Sequence, residues 1–381
     1  MQVPVAGKSI SNKEIEEAKK ALDEGVWTEG HYCLEFANEL KQKTNRDYCQ
    51  LTNSGSSANF IALASCKLAF NWEDGDEIIT CVLGFPTTVT PIIQLNLKPV
   101  FIDAEGLNIN ADLIEDKITK KTKAIMIAHT LGFPFDYKKI QRICNKYKLK
   151  LIADNCDALG SRIGEVPLGS LGDVSTFSFY PAHFLTTIEG GAITTDNIKI
   201  YVIAKSLINW GRACSCPPGK DNTCGHRFDY QMGKLPKGWD HKYTYLFAGW
   251  NLKMNDIEAA IGTVQMKKFD NFVQIRRNNY LEYSERIIYD CEPLLDGVNP
   301  FGFVIYTENS IEFIKKLVDK GIGARLVMGG NLLRQPFLKD FGNPDEFVGA
   351  DKTANTAIWI GVQPSLSMDE KDYVVKTINK L

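Results

Sequence analysis

The order of apolar and polar runs along the chain predicts its elements before any single residue is singled out. From Ser11, the run NKEIEEAKKALDEG reads as a capped helix, with Ser11 ahead of acidic residues and Gly25 as its stop. Short β-rich runs follow at Glu77–Leu83, Pro99–Ile102, Lys123–Ala128, Leu149–Ala153, Val174–Phe179 and Ala192–Thr195. Helical segments such as Tyr137–Tyr147 separate several of them. This βαβ series predicts an α/β fold, a mostly parallel sheet covered on both faces.

The stretch 211–245, rich in Gly, Pro and Cys, breaks the pattern, and a loop of this length in a compact domain is usually functional. A helix from Asn255 through Asn278 comes next and leads into a smaller C-terminal unit. That unit is predicted to hold strands near Phe303–Tyr306, Ala324–Met328 and Ala357–Val362, a helix Ser310–Lys320 and a last helix from Met368. The expected division is a large domain over 1–262 and a small α+β domain over 263–381, with the N-terminal helix free to pack on the small one.

Composition narrows the function without naming it. The 381 residues carry 44 Lys+Arg against 46 Asp+Glu, a formal charge of -2, and 44% hydrophobic residues. Such a chain can bury large cores, and its balanced charge leaves no footprint for nucleic acid or an anionic membrane. No signal-peptide core opens the chain, and no run reaches the roughly 18 apolar residues of a membrane span. Ten cysteines stand out, scattered except at 214–224, which fits a reducing cytoplasm where clustered thiols bind metals or react.

In open parallel sheets ligands sit at the carboxyl ends of strands, so the residues just past each strand carry the chemistry. Asn53-Ser-Gly-Ser-Ser-Ala-Asn59 opens a helix with small residues, as a phosphate cradle or a simple capped turn does. Asp154, after the strand ending at Ala153, can pair with the ring nitrogen of a pyridine cofactor or cap a helix. The third place is Ser178-Phe-Tyr-Pro-Ala-His183, followed by Thr187-Ile-Glu-Gly-Gly191.

Together these segments resemble the DegT/DnrJ sugar aminotransferases of pyridoxal phosphate (PLP) fold type I, and the resemblance covers nearly the whole chain. It implies a large three-layer domain with a smaller C-terminal one. In that family a Lys carries the cofactor as a Schiff base; here the matching residue is His183, and no Lys occurs between Lys150 and Lys199. An imidazole cannot hold the cofactor covalently, so the resemblance implies pyridoxamine 5′-phosphate (PMP) bound noncovalently, with His183 as catalytic acid/base. The 3-dehydratases of 3,6-dideoxysugar biosynthesis show the same Lys-to-His change and the phrase Phe-Tyr-Pro-Ala-His.

The resemblance also implies roles by position. Phe85 stacks on the ring, Asp154 keeps its nitrogen protonated, and Asp157 lies over it. Gly55, Ser56, Ser57 and Ser178 bind the phosphate, and Asn251 reaches the phosphate of the neighbouring subunit in a homodimer. Asn331 and Arg334 fall in the segment lining the sugar pocket.

The cysteine gaps distinguish branches of the family. Cys156, Cys214, Cys216 and Cys224 follow C-x57-C-x-C-x7-C, which resembles the [2Fe-2S] ligand set of the CDP-4-keto-6-deoxyglucose 3-dehydrases of ascarylose-type biosynthesis. Zinc is the rival metal, though structural zinc sites usually space their cysteines more widely; inert buried thiols are the third reading. The implied reaction removes the C3 hydroxyl of a nucleotide-linked 4-keto-6-deoxyhexose, as in lipopolysaccharide O-antigen sugars, with electrons from an NAD(P)H-dependent reductase. A cluster-free, glutamate-recycled enzyme like GDP-4-keto-6-deoxymannose 3-dehydratase is the alternative, and a sugar-binding protein on the same fold another.

Overall fold

Ser11 caps the first helix, α1 (Asn12–Glu24), and Glu14 bonds back to the Ser11 amide, a capping box. Gly25 ends the helix at φ 76, a left-handed conformation that glycine adopts without a Cβ penalty. This computed structural model describes residues 1–217 and 220–381. Helix α2 (His31–Thr44) and strand β1 (Tyr48–Thr52) follow; neither is among the elements expected from sequence. Strand β1 lies at the sheet edge and pairs with one neighbour, so its Tyr-Cys-Gln-Leu-Thr run need not be apolar throughout.

The other strands of the main sheet are β2 (Glu77–Cys81), β3 (Lys98–Ile102), β4 (Thr122–Ala128), β5 (Lys150–Asp154), β6 (Val174–Ser178) and β7 (Gly191–Thr195). Their order is β1-β7-β6-β5-β4-β2-β3. Strand β7 alone runs antiparallel to its neighbours, and the remaining pairings are parallel. Both faces are buried, which is why these strands read as nearly continuous apolar runs. Along β4, Ala124 and Met126 enter one core with Ile61 and Leu63 of α3 (Gly55–Ala69). The intervening Ile125 and Ile127 enter the other, with Phe36 of α2 and Phe269.

Around this sheet lie α4 (Pro86–Gln94), α5 (Tyr137–Tyr147) and α6 (Ile198–Leu207). Helix α7 (Asp256–Arg286) has 31 residues and continues unbroken through 262/263, so the expected domain boundary falls inside a helix. Its Gln265 and Lys268 hold the buried Glu14 of α1 at 2.6 and 2.5 Å. The small unit contains β8 (Gly302–Tyr306), β9 (Ala324–Leu326) and β10 (Ala357–Gly361) in the order β8-β10-β9, with α8 (Ser310–Asp319), α9 (Val348–Thr356) and α10 (Met368–Ile378). Val3 joins it through hydrogen bonds with Gly321 and Gly323, 2.8 Å each. No helix among the described residues is long and apolar enough to cross a membrane.

Candidate active site and cysteine loop

Strand β5 ends on Asp154, whose side chain is only 5% exposed and fully engaged. Oδ2 accepts from Asn59 Nδ2 at 2.7 Å and from Thr88 Oγ1 at 2.8 Å, and Oδ1 accepts from the Cys156 amide at 3.0 Å. Asn59 is itself oriented by Thr176 Oγ1 at 2.5 Å. Donors from α3, α4 and the backbone thus hold the carboxylate in one orientation, as a partner for a protonated ring nitrogen requires. Asn59, although inside the quoted Asn53–Asn59 motif, and Thr88 were not singled out from sequence.

Helix α3 points its amino end at the same place. Ser54 is its cap, accepting from the Ser57 amide at 3.1 Å, so the amides of Gly55 and Ser56 precede the first helical bond and remain available to an anion. Ser178, the last residue of β6, closes the cradle: a Cβ on Gly55 would stand 2.5 Å from Ser178 Cβ. Only glycine leaves this space, and the small hydroxyl-bearing residues around it suit a phosphate. Phe85, at the head of α4, is 53% exposed, an apolar ring face free to cover a flat ligand. These residues fit a pyridoxal or pyridoxamine phosphate.

His183 lies in the turn after β6, where its amide donates to Tyr180 O at 2.9 Å. Its Nδ1 is 3.5 Å from Asp157 Oδ1, without the alignment of a hydrogen bond. Burial, and then the nearby Arg276 guanidinium, lower the imidazole pKa to about 3, so it is neutral at physiological pH. Burial, reinforced by Asp154, raises Asp157 to about 7. Arg276, which sequence reasoning missed inside the long helix α7, is buried beside both. Its Nη2 donates to His183 O at 3.1 Å and Nη1 to Phe301 O at 3.2 Å, and its guanidinium lies 4.9 Å from the Phe184 ring centre.

Three other expected residues have local partners. Asn251 is exposed, its Oδ1 accepting from Lys253 Nζ at 2.7 Å. Asn331 is buried and caps the turn Leu332–Arg334; its Nδ2 donates to Pro344 O and Asp351 Oδ1, both at 3.0 Å. Arg334 is paired with Asp351 and Asp345 at 2.6 and 2.8 Å. The segment nonetheless borders the cradle, since Gly329 N donates to Gly84 O at 2.8 Å, next to Phe85.

The four expected metal-binding cysteines assemble only in part. Ligand atoms of Cys214, Cys216 and His241 lie within 4.8 Å of one another, and Cys224 Sγ is 3.7 Å from His241 Nε2. A hydrogen bond from Thr223, with others from the neighbouring cysteines, lowers Cys216 to about 6, so a thiolate exists near neutral pH. That donor set suits a thiolate-bound metal. Cys156 is outside the group among the described residues. Its thiol is buried beside Asp154, which pushes its pKa well up, and a Cβ on Gly55 would come within 3.1 Å of its sulfur. The turn after β5 fixes Cys156 in the cradle, whereas the loop is anchored elsewhere, through the bridges Arg212–Tyr245 and Asn209–Asn251. From sequence, His241 was placed in the loop 211–245 but not singled out as a ligand. All ten cysteines are free thiols.

Comparison with known proteins agrees with this geometry. Residues 8–379 match the model of the DegT/DnrJ/EryC1/StrS aminotransferase family. A lipopolysaccharide biosynthesis protein RfbH of Salmonella typhimurium is 42% identical, over 98% of this chain and 90% of its own. A dTDP-4-dehydro-2,6-dideoxy-D-glucose 3-dehydratase of Saccharopolyspora spinosa is 41% identical, over 90% and 78%. Among solved structures, a GDP-4-keto-6-deoxymannose 3-dehydratase with a trapped PLP-glutamate geminal diamine superposes with a TM-score of 0.87 at 25% identity, covering 99% of this chain and 100% of that one. The fold is that of the PLP-dependent aminotransferases of fold type I.

Proposed function

The chain belongs to the DegT/DnrJ/EryC1/StrS aminotransferase family, and from this footing we propose that it is a PMP-dependent 3-dehydratase of a nucleotide-linked 4-keto-6-deoxyhexose. It removes the C3 hydroxyl in 3,6-dideoxysugar biosynthesis, in the cytoplasm, as a homodimer. The observation that carries the reading is His183: a buried, neutral imidazole 3.5 Å from Asp157, in the turn where the family's lysine is expected.

When bound, PMP supplies an amine for the C4 ketone and a protonated ring that accepts electron density. Gly55, Ser56, Ser57 and Ser178 hold its phosphate; Asp154, fixed by Asn59 and Thr88, keeps the ring nitrogen protonated; Phe85 covers one ring face. His183 is neutral and therefore takes up a proton; the resulting cation turns its Nδ1 toward the Asp157 carboxylate, which stabilises it once ionised. Arg276 keeps the His183 turn in place through the main-chain carbonyl. Asn251 serves the phosphate of the neighbouring subunit, and Arg334 and Asn331 border the sugar, Arg334 exchanging a carboxylate partner to reach it.

We assign the reducing electrons to a [2Fe-2S] centre held by Cys214, Cys216, Cys224 and Cys156, the last brought in as the loop closes. When bound, that centre supplies single-electron transfer from an NAD(P)H-dependent reductase. One observation favours a second reading, a cluster-free dehydratase recycled by glutamate: Cys156 stands apart from the other three thiols.

The test supplies purified enzyme with PMP, a reductase or dithionite, and CDP-, GDP- or dTDP-linked 4-keto-6-deoxyhexoses. C3 deoxygenation seen by NMR, and lost in His183→Asn, is the expected result; no deoxygenation of any of them overturns the dehydratase reading. Two irons per chain in anaerobically purified protein supports the cluster, and glutamate-driven turnover without iron supports the second reading.

A further inference from the structure

We propose that the loop over 211–245 holds a single tetrahedral divalent ion of the zinc class through Cys214, Cys216, Cys224 and His241. The site goes beyond the dehydratase reading and does not depend on it. It uses three of the sulfurs assigned above to the cluster, so the two occupants exclude each other, and Cys156 takes no part in it.

Packing does not hold this loop together. Among the described residues, none of 213–245 joins a hydrophobic core, and between 220 and 243 His241 alone is buried, at 7% exposure. Its imidazole stands among sulfurs: a ring nitrogen lies within 4.8 Å of the sulfurs of Cys214 and Cys216, and Nε2 is 3.7 Å from Cys224 Sγ. The main chain that carries the ring is tied down. The His241 amide donates to Arg227 O at 3.1 Å, and Arg227 grips Asp240 through two bonds of 3.0 and 2.7 Å. Asp240 in turn caps the turn His241–Tyr243 by accepting from the Lys242 amide at 3.0 Å.

The spacing of these atoms is close to that of a coordination shell. Bonds of about 2.3 Å to sulfur and about 2.0–2.1 Å to an imidazole nitrogen put neighbouring ligand atoms of a tetrahedron roughly 3.6 to 3.8 Å apart. The separation of His241 Nε2 from Cys224 Sγ is already such an edge, and the other two sulfurs have no more than about an ångström to move. Three thiolates and an imidazole are a usual donor set for structural zinc. The one-residue gap between Cys214 and Cys216 is tighter than the usual zinc hook, yet the fold brings both sulfurs to one imidazole from the far end of the loop. Cys156 is held elsewhere, buried beside Asp154 in the cradle. An ion among the four donors ties the two ends of a segment that has no core of its own, which is the work structural metals do.

The test uses the full-length protein, reduced and stripped of metal anaerobically, then titrated with Co²⁺, whose visible spectrum reports tetrahedral thiolate coordination, and finally with Zn²⁺ as competitor. The expected result is one cobalt per chain with intense visible bands and thiolate-to-metal charge transfer, bleached by zinc, and the same binding in Cys156→Ser. His241→Ala should weaken Co²⁺ binding by at least the about 10–100-fold that loss of a group orienting a ligand costs. His241→Cys should restore it with stronger charge transfer, which shows that the loss in His241→Ala is one of a ligand and not of the fold. Unweakened tetrahedral binding in His241→Ala overturns the proposal. So does loss of binding in Cys156→Ser, or a reduced parent that takes up neither ion. C3 deoxygenation is read separately, so a loop that binds no ion leaves the dehydratase reading standing, and failure of that reading leaves the metal titration to decide this one.

Discussion

The cradle at the strand ends and the loop over 211–245 hold their chemistry by different means. In the cradle, Asp154, Asn59, Thr88 and Thr176 bond one another inside a sheet whose two faces are buried, so the geometry exists before a ligand arrives. The loop is held by its own ion pairs, Arg227 with Asp240 and Asp221 and Lys242 with Asp221, and by a few backbone bridges. Preorganisation comes from packing in the first region. In the second, Cys214, Cys216 and His241 meet without such packing around them, and a metal held there, as proposed above, would couple its binding to the folding of the loop.

Four experiments test that contrast, the largest effect first. His183→Asn removes the proton carrier while filling most of its space, and C3 deoxygenation should fall by about 10²–10⁴-fold with PMP affinity nearly unchanged; an equal loss of cofactor binding, measured by fluorescence titration, would break the distinction between holding and moving. Cys216→Ser should abolish iron binding and reductase-dependent turnover while thermal unfolding of the metal-free protein shifts by less than about 0.5 kcal/mol, as at other solvent-facing positions. A large loss of stability would show that the loop is packed as the cradle is.

Gly55→Ala probes the cradle itself. The added methyl meets Ser178 Cβ at 2.5 Å, so the variant should lose about 1–3 kcal/mol of stability in urea denaturation and bind PMP more weakly. An unperturbed variant would mean that the helix terminus yields.

The smallest effect is a slope. Asp157 is raised from 3.8 to about 7, so between these values the folded protein holds a proton that the unfolded chain has lost, and its contribution to stability falls as pH rises through that window. His183 is lowered from 6.5 to about 3 and works in the opposite sense: the unfolded chain gains a proton first, so this contribution falls as pH drops below 6.5. The two nearly cancel over the shared range. Asp157→Asn removes one, so its stability relative to the parent should grow with pH across 3.8 to 7. A constant difference would show that Asp157 is not protonated in the folded state.

Much of the scaffold was legible. The strands β2 to β7 of the main sheet stand within a residue or two of the expected runs, and Tyr137–Tyr147 is the helix the sequence predicts. Elements with weak contrast were missed: β1 on the sheet edge, α2, and α4, which contains Pro91. Within the site, Asp154, Gly55, Ser178 and His183 were found because they stand at strand ends in recognisable phrases. Arg276 was not, because a cation in a long helix carries no local sign that it is buried against a turn 93 residues away.

Residue chemistry alone therefore determined which groups the chain offers: an imidazole where a lysine would be needed for covalent attachment, a carboxylate at a strand end, and four cysteines whose intervals resemble a metal-ligand set. Tertiary structure decided the environment of each, because burial and neighbours come from contacts far apart in the chain. It neutralised His183 and raised Asp157 by desolvation, gave Asp154 its donors from two helices, and set Cys156 in the cradle apart from the other thiols. It also brought His241 to the cysteines, a juxtaposition that no spacing in the sequence encodes, because chain folding and not interval places an imidazole 3.7 Å from a sulfur.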